Sequence, residues 1–234
     1  MTKPPLLKGV VLVYTDYMKI QVITLFPEMF TGVLGSSMLW KAADRDIVQY
    51  EFINLRDFGI GPRQQVDDTP YGGGDGMLLK PEPLVAAIEH AKKRVSSLES
   101  RVAVLLPTPR GKVYKQSDAK RLAADFNDLI IVCARYEGYD ERVTQWIDEQ
   151  FCMGNYVLTG GELPAMTIID SVVRLLPGVL GGETSAEVES FQDDDVTTEY
   201  PQYTRPEEFR GLKVPDVLLS GHHAAIDTWR NQQG

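Results

Sequence analysis

Three glycine-containing loops carry the residue types best suited to binding a small organic ligand. They span residues 106–111 (LPTPRG), 134–141 (ARYEGYDE) and 153–163 (MGNYVLTGGEL), and the first two follow predicted strands. Glycine allows a ligand to approach the backbone closely, and neighbouring apolar side chains can wall a slot for a flat heterocycle. A plain turn explains any one of these loops, but the three together favour a shared ligand site.

A fourth glycine-rich stretch, residues 66–77 (VDDTPYGGGDGM), has the composition to contact a planar base. It holds four glycines in five positions, ending at Gly76, directly after the aromatic Tyr71. Such backbone adopts positive φ angles and comes close to a base, although a flexible hairpin is the alternative. Tyr71 and Gly76 are therefore the candidate substrate-binding residues.

Several other chemistries are excluded by the motifs that the chain lacks. No strand is followed by G-x-G-x-x-G, and neither a P-loop nor a G-x-S-x-G elbow occurs. The histidines His90, His222 and His223 lack metal-ligand spacing with acids or cysteines. Cys133 and Cys152 each lie inside an apolar segment, which argues against a disulfide framework or a structural zinc site. No metal ligand is predicted.

The charge of this 234-residue chain is unevenly distributed. Seven acidic and no basic side chains fall within residues 183–200, although the net charge of the whole chain is only −9. The low isoelectric point, about 4.9, would alone argue against a nucleic-acid partner, but outside this segment acids and bases nearly balance. An acidic chain of this kind can therefore still bind RNA.

The composition indicates an ordinary globular protein, with 43% hydrophobic and 24% charged residues. No apolar run approaches the roughly 20 residues that a membrane span needs, and none is typical of a secretory signal. We therefore expect no membrane partner. With only two cysteines, a cytoplasmic location in a reducing environment is predicted.

Alternating strands and helices predict an α/β fold. The apolar rather than alternating strands favour a largely parallel sheet covered on both faces, whose ligands bind at the carboxyl ends of the strands. We expect an N-terminal arm (1–17), a main domain (18–182), a flexible acidic linker (183–200) and a small C-terminal unit (201–234). The predicted strands are 18–25, 47–55, 102–106 and 129–133, and the predicted helices are 27–46, 81–96, 117–125, 164–176, 206–210 and 224–229.

Six motifs distributed over residues 18–230 resemble one known family in both their amino-acid sequences and their order. They are LFPEMF, VDDTPYGGGDGM, RYEGYDERV, GNYVLTGGELPAMTIIDSVVRLLPGVLG, YTRPEEFRG and VPDVLLSGHHAAIDTWR. Together they resemble the bacterial tRNA (guanine-N1)-methyltransferases, the TrmD family of the knotted SPOUT class. The resemblance implies a SPOUT-type parallel sheet with a C-terminal deep trefoil knot and a small α-helical, tRNA-binding C-terminal domain.

The same resemblance implies an activity and its partners. The methyl group of S-adenosylmethionine would be transferred to N1 of the guanosine just 3′ of the tRNA anticodon, position 37. The enzyme would be a homodimer with its active site at the subunit interface, and assistance by Mg²⁺ is suggested.

Ala134 stands where the family usually has glycine, and a positive φ there would cost alanine about 1 kcal/mol. The cofactor-binding residues implied are Leu106, Pro107, Thr108, Ala134, Tyr136, Glu137, Gly138, Met153, Gly154, Asn155, Tyr156, Val157, Leu158, Gly160 and Gly161.

Two further residues would carry the chemistry. Neutral guanine N1 bears a proton that a base must remove, and charge developing on O6 needs a donor. The resemblance assigns the donor role to Arg174 and places the base at Glu189, where the family has aspartate. Glu187 or Asp193 is an alternative base in the same acidic segment.

Two other functions stay open from the sequence. A knotted RNA-binding protein that has lost catalysis is one, because glutamate replaces the family aspartate and the chain ends where relatives usually continue. A SPOUT methyltransferase acting on another RNA nucleoside is the second. Binding of S-adenosylmethionine separates the first from an enzyme, and identification of the methylated nucleoside separates the second.

Overall fold

The computed structural model describes residues 17–180, 190–191 and 197–233, and its centre is a five-stranded sheet. The strand order is β2-β1-β6-β5-β7, and every neighbouring pair is parallel. This confirms the predicted α/β fold with a parallel sheet. The strands are β1 Met18–Thr24, β2 Val48–Asn54, β3 Asp67–Asp68, β4 Leu78–Leu79, β5 Val102–Val113, β6 Asp128–Val132, β7 Glu149–Cys152, β8 Glu208–Phe209 and β9 Leu212–Lys213.

Helices cover both faces of the sheet, since the central strands send alternate side chains into two separate buried clusters. Ile131 and Leu105 pack with α5 on one face, and Ile130 and Val104 pack with α3 on the other. The α-helices are α1 Thr31–Leu34, α2 Ser37–Asp44, α3 Pro81–Lys92, α4 Gln116–Asp125, α5 Glu162–Val173, α6 Asp216–Leu219 and α7 His223–Gln233, and 3₁₀ helices lie at Pro27–Phe30, Leu55–Phe58 and Glu141–Trp146.

The single helix predicted for residues 27–46 is wrong. A 3₁₀ turn leads into the short α1, and α2 starts only after a break at Gly35 and Ser36. Ser37 has a φ of 52°, a left-handed value that a continuous right-handed helix does not contain. The apolar spacing of this segment was helical, but its Gly-Ser-Ser sequence interrupts the helix.

The helix predicted for residues 206–210 is also wrong, because this segment begins a β-hairpin. Strands β8 and β9 pair antiparallel through Arg210 and Gly211, whose φ values are 54° and 84°. Two consecutive positive φ angles match the tight turn that suits the twist of a two-stranded hairpin. The helix predicted for residues 224–229 is present as α7.

Two differences concern the strands that position the ligand loops. Strand β7 was not predicted, because the first two of its four residues, Glu149 and Gln150, are polar. Strand β5 continues to Val113 beyond its predicted end, and its pairing with β7 shifts in register between Pro107 and Lys112. The first ligand loop is therefore an irregular part of a strand. The N-terminal arm and most of the acidic linker lie outside the described residues.

Candidate ligand-binding site

A cavity of about 550 Å³ lies at the carboxyl ends of β5, β6 and β7. All three predicted ligand loops line it, and its volume is within the range of pockets that hold small organic ligands. The lining residues are Leu78, Pro107, Thr108, Pro109, Arg110, Ala134, Arg135, Tyr136, Glu137, Gly138, Tyr139, Glu141, Phe151, Cys152, Met153, Gly154, Tyr156, Val157, Leu158, Thr159, Gly160, Gly161 and Pro164.

The structure brings together all of the predicted cofactor-binding residues except Leu106 and Asn155. Leu106 is buried in the apolar cluster that packs against α3, directly behind the cavity wall at Pro107. Asn155 is exposed at the turn after β7. Cofactor binding by the lining residues stays a prediction.

Thr108 and Tyr139 are nearly buried polar residues that line the cavity. The Tyr139 hydroxyl lies 3.5 Å from Thr108 Oγ1 and 3.4 Å from Gln150 Oε1. These contacts link the irregular part of β5 and the loop after β6 to strand β7. Most of the remaining lining is apolar or backbone, so few fixed polar groups are available to orient a ligand.

Gly161 allows the third loop to pack against the end of β6. Its amide donates to the Ala134 carbonyl at 2.8 Å, and a Cβ at this position would lie only 2.8 Å from Cys133 Cα. Burial, followed by the nearby Glu162 charge, raises the pKa of the Cys133 thiol well above its usual range, so this thiol stays protonated. Ala134 is not among the described residues with positive φ, so alanine carries no backbone strain there.

A buried ion pair beside the cavity was missed by the sequence analysis. Arg135 Nε lies 2.8 Å from Glu162 Oε2, and the two side chains are 16% and 1% exposed. Thr24, the last residue of β1, donates to the other Glu162 oxygen at 2.8 Å. An acidic residue directly after two glycines at a helix start was the available sequence signal.

The glycine-rich hairpin between β3 and β4 is attached to the second cavity loop. The Glu137 amide donates to the Met77 carbonyl at 3.1 Å, and the Leu79 amide donates to the Gly138 carbonyl at 2.9 Å. Gly76, with a φ of 85°, lies so close to Glu137 that a Cβ would overlap this side chain. Tyr71 is fully exposed at the tip of the hairpin.

The two predicted catalytic residues do not line the cavity. Arg174 is half-buried at the C-terminal cap of α5, whereas Pro164 at the start of the same helix lines the cavity. A rise of 1.5 Å per residue separates these two positions by about 15 Å along the axis. Glu189 lies outside the described residues, as do the alternatives Glu187 and Asp193.

An exposed ion pair stands at the mouth of the cavity. Arg110 and Glu141 lie 2.6 Å apart, each about 64% exposed, and this hydrogen bond raises the pKa of the Arg110 guanidinium.

Within residues 17–180, 190–191 and 197–233, no group of three or more His, Cys, Asp or Glu side chains is arranged to hold a metal ion. None of the helices in this part of the chain is long and apolar enough to cross a membrane.

A parallel sheet whose strand ends enclose a glycine-lined cavity is typical of α/β proteins that bind a small organic ligand. Residues 18–234 match the family model described as tRNA (Guanine-1)-methyltransferase TrmD. The chain therefore belongs to the TrmD family of tRNA (guanine-1)-methyltransferases.

Individual relatives agree with this assignment. A tRNA (guanine-N(1)-)-methyltransferase from Brevibacillus brevis is 53% identical over 91% of this chain and 85% of its own length. The enzyme of the same name from Staphylococcus carnosus is 50% identical over 92% of this chain and 85% of its own length. The crystal structure of a tRNA (m1G37) methyltransferase from Aquifex aeolicus has a TM-score of 0.75 at 37% identity, covering 92% of this chain and 88% of that chain.

Proposed function

We propose that this protein transfers the methyl group of S-adenosylmethionine to N1 of the guanosine 3′ to the tRNA anticodon. The observation that carries this proposal is the convergence of the three family loops on one cavity in a chain that belongs to the TrmD family. Relatives that align over about nine-tenths of the chain are named for this reaction.

The cavity suits S-adenosylmethionine in size and lining. Its volume of about 550 Å³ accepts a nucleoside with an amino-acid tail, and its glycines leave backbone groups accessible to an adenine edge. Bound there, the cofactor would supply an electrophilic methyl group on a sulfonium. The protein's contribution is to hold the guanine N1 in line with that methyl group and to exclude competing nucleophiles.

The chain would also move a proton and balance a charge. Glu189 would accept the proton of guanine N1, and the Arg174 guanidinium would stabilise negative charge on the neighbouring O6. Glutamate keeps the carboxylate of the family aspartate and adds one methylene. Tyr71 and Gly76, on the hairpin attached to the second cavity loop, would contact the target base.

A homodimer completes the proposed site. Within one chain, Arg174 and the cavity lie at opposite ends of α5, about 15 Å apart along the helix. A partner chain that places its own Arg174 beside the cavity would bring the two together. Support also comes from the large apolar side chains exposed close to the cavity, Val157 and Leu163.

The rest of the proposed architecture follows the family. A deep knot is proposed from membership of the TrmD family, and the close contact of Gly161 with the backbone of Cys133 and Ala134 places the third loop against the end of β6, as such a knot requires. The C-terminal unit, with β8, β9, α6 and α7, would bind tRNA. Among the described residues no group of three or more His, Cys, Asp or Glu side chains is arranged to hold a metal ion, and assistance by Mg²⁺ stays a prediction.

One assay tests the proposed reaction. Radiolabelled methyl transfer is measured with unmodified tRNA transcripts that contain or lack the guanosine after the anticodon, and the product nucleoside is identified. We expect 1-methylguanosine only from the first transcript. Labelling of both transcripts would reject the proposed target, and an absence of cofactor binding would favour a non-catalytic RNA-binding protein. Adding a chelator to the same assay tests the Mg²⁺ expectation.

A further inference from the structure

Arg135 contacts several of the segments that surround the cavity. Its guanidinium lies over the Phe26 ring at 4.6 Å and donates to the Thr159 carbonyl at 3.4 Å, in addition to the ion pair with Glu162. The residue itself lies in the second cavity loop, and Thr159 lies in the third. One side chain thus connects both loops to the segment after β1.

The Glu162 side chain is also fixed by several contacts. Its carboxylate is almost fully buried at the first turn of α5, where Oε1 accepts a hydrogen bond from Thr24 and Oε2 lies 2.8 Å from Arg135 Nε in an ion pair that lacks hydrogen-bond alignment. Gly160, two residues before Glu162, leaves room for this approach, because a Cβ at position 160 would collide with both Arg135 and Glu162. A side chain at this position would therefore force one or both partners to shift.

A buried ion pair of this kind fixes geometry more effectively than it adds stability. Removing one partner leaves an uncompensated charge in a site with little water, whereas removing both leaves none. Arg135 belongs to the loop that contributes Ala134 and Tyr136 to the cavity, and Glu162 follows directly on Gly160 and Gly161. This ion pair is therefore a side-chain link between the two halves of the cavity wall, in addition to the backbone hydrogen bond from Gly161 to Ala134.

We propose that Glu162 and Arg135 are positioning residues that hold the second and third loops at the separation required to bind the adenosyl ligand. This inference rests on the proposed function, since it concerns the same cavity. Neither residue is among those that the sequence assigned to the site. Thr24 has a supporting role, because its hydroxyl orients the Glu162 carboxylate from β1.

The test compares ligand affinity with folding stability in a set of full-length variants. Binding of S-adenosylhomocysteine is measured by calorimetry and thermal unfolding by scanning calorimetry for Glu162→Gln, Thr24→Val and the Arg135→Met/Glu162→Gln double variant. Thr24→Ser serves as the conservative rescue. Glu51→Gln is the matched control. Glu51 lies on β2, at the sheet edge opposite β7, and pairs there with Lys19 and Arg94.

We expect Glu162→Gln to raise the dissociation constant about tenfold or more, because a supporting contact sets the cavity geometry. The KM for tRNA should change less than the KM for S-adenosylmethionine. Thr24→Val should weaken binding in the same direction and Thr24→Ser should restore it. The Glu51→Gln control should lose stability without losing affinity.

The double variant separates positioning from mere stability. With both charges removed, the melting temperature should recover relative to the single variant, while ligand binding stays weak because the side-chain link between the loops is gone. If affinity and melting temperature recover together, the pair is only structural and the inference is wrong. Normal binding by Glu162→Gln also overturns it, whereas a wild-type protein that fails to bind the ligand overturns the proposed function instead.

Discussion

Gly161 shows how a single missing side chain shapes the cavity. Its φ is an ordinary −81°, so the requirement for glycine is purely one of space. A Cβ would meet Cys133 Cα at 2.8 Å and the Ala134 nitrogen at 3.0 Å, and both are backbone atoms that cannot move aside cheaply. We expect Gly161→Ala to lower the free energy of unfolding by about 1–3 kcal/mol and to weaken binding of S-adenosylhomocysteine.

Gly32→Ala is the matched control for this prediction. Gly32 lies in α1, and a Cβ there would have no atom within 4 Å. Alanine at an open helical position is expected to be neutral or to stabilise by up to about 1 kcal/mol. Urea unfolding and calorimetric binding of both variants provide the comparison. Equal stability and equal affinity would contradict the close packing of the third loop.

Tyr114 predicts a specific loss of stability at high pH. Burial raises the pKa of its phenol from 10.0 to about 12, opposed by a 2.7 Å hydrogen bond with Ser171 of α5. The raised pKa favours the protonated folded state, so its stabilising contribution is complete below pH 10 and disappears as the pH rises towards 12. Within this window the loss is up to about 1.4 kcal/mol per pH unit.

Tyr114→Phe tests this linkage. At pH 9 the variant should be less stable by about 1 kcal/mol, because the hydrogen bond to Ser171 is gone. Between pH 10 and pH 11.5 wild type should lose about 2 kcal/mol of stability relative to the variant, so the difference between them should vanish and then change sign. Urea unfolding at four pH values measures the free energy of unfolding of both proteins. A difference that stays constant over this range would mean that Tyr114 ionises equally in both states.

At the scale of elements, the hairpin between β3 and β4 is expected to act through its contact with the second cavity loop. Gly73 and Gly76 both have positive φ, 80° and 85°, so alanine at either position carries about 1 kcal/mol of backbone strain. Only at Gly76 would the Cβ also overlap Glu137, while Gly73 faces open space. Gly76→Ala should therefore displace the hairpin from the cavity and Gly73→Ala should not.

Steady-state kinetics with tRNA transcripts distinguish the two variants. We expect Gly76→Ala to lower kcat/KM for tRNA about tenfold or more relative to Gly73→Ala, because small displacements near reacting atoms are costly. Thermal unfolding should show similar destabilisation in both. Equal kcat/KM values would show that the hairpin does not need its contact with Glu137.

Elements were predictable where burial on both faces left a uniform apolar run. Strands β1 and β6 are fully buried, and both were expected close to their observed bounds. Strand β7 was missed because half of its four residues are polar, and the β8–β9 hairpin was missed because its turn residues are Arg and Gly. Local pattern identifies an element only where its environment is uniform.

The residues of the candidate site were likewise predictable only in part. Glycine-rich loops are visible in the sequence because a close approach needs particular residue types at consecutive positions. The Arg135–Glu162 pair was not visible, because its partners are separated along the chain and meet only when β6 and α5 pack together. The pairing of Thr24 with Glu162 spans an even longer separation. Contacts of this kind follow from tertiary structure and have no local signature.

At the scale of the whole molecule, the charge distribution has a consequence for tRNA binding. Seven of the acidic side chains are confined to residues 183–200, and the remainder of the chain is nearly balanced. Many of its described cations are already paired, as Lys112 and Arg121 are with Glu149. In the proposed dimer two copies would present their basic surface jointly, so we expect tRNA binding to depend on oligomeric state.

Mixing two impaired variants, at a cofactor concentration where each alone has little activity, tests whether the site is shared between chains. Arg174→Ala removes the proposed charge-stabilising group at one end of α5, and Gly161→Ala impairs the cavity at the other. If Arg174 serves the partner's cavity, a mixed dimer contains one complete site and one site with both defects. Random exchange of subunits makes half of the dimers mixed, so activity should return to about a quarter of the wild-type value. If Arg174 serves its own cavity, every site in the mixture carries a defect and no activity returns.

Size-exclusion chromatography before and after exchange confirms that dimers form. Arg174→Lys keeps a cation but not the planar fork, and it should restore only part of the single-turnover rate.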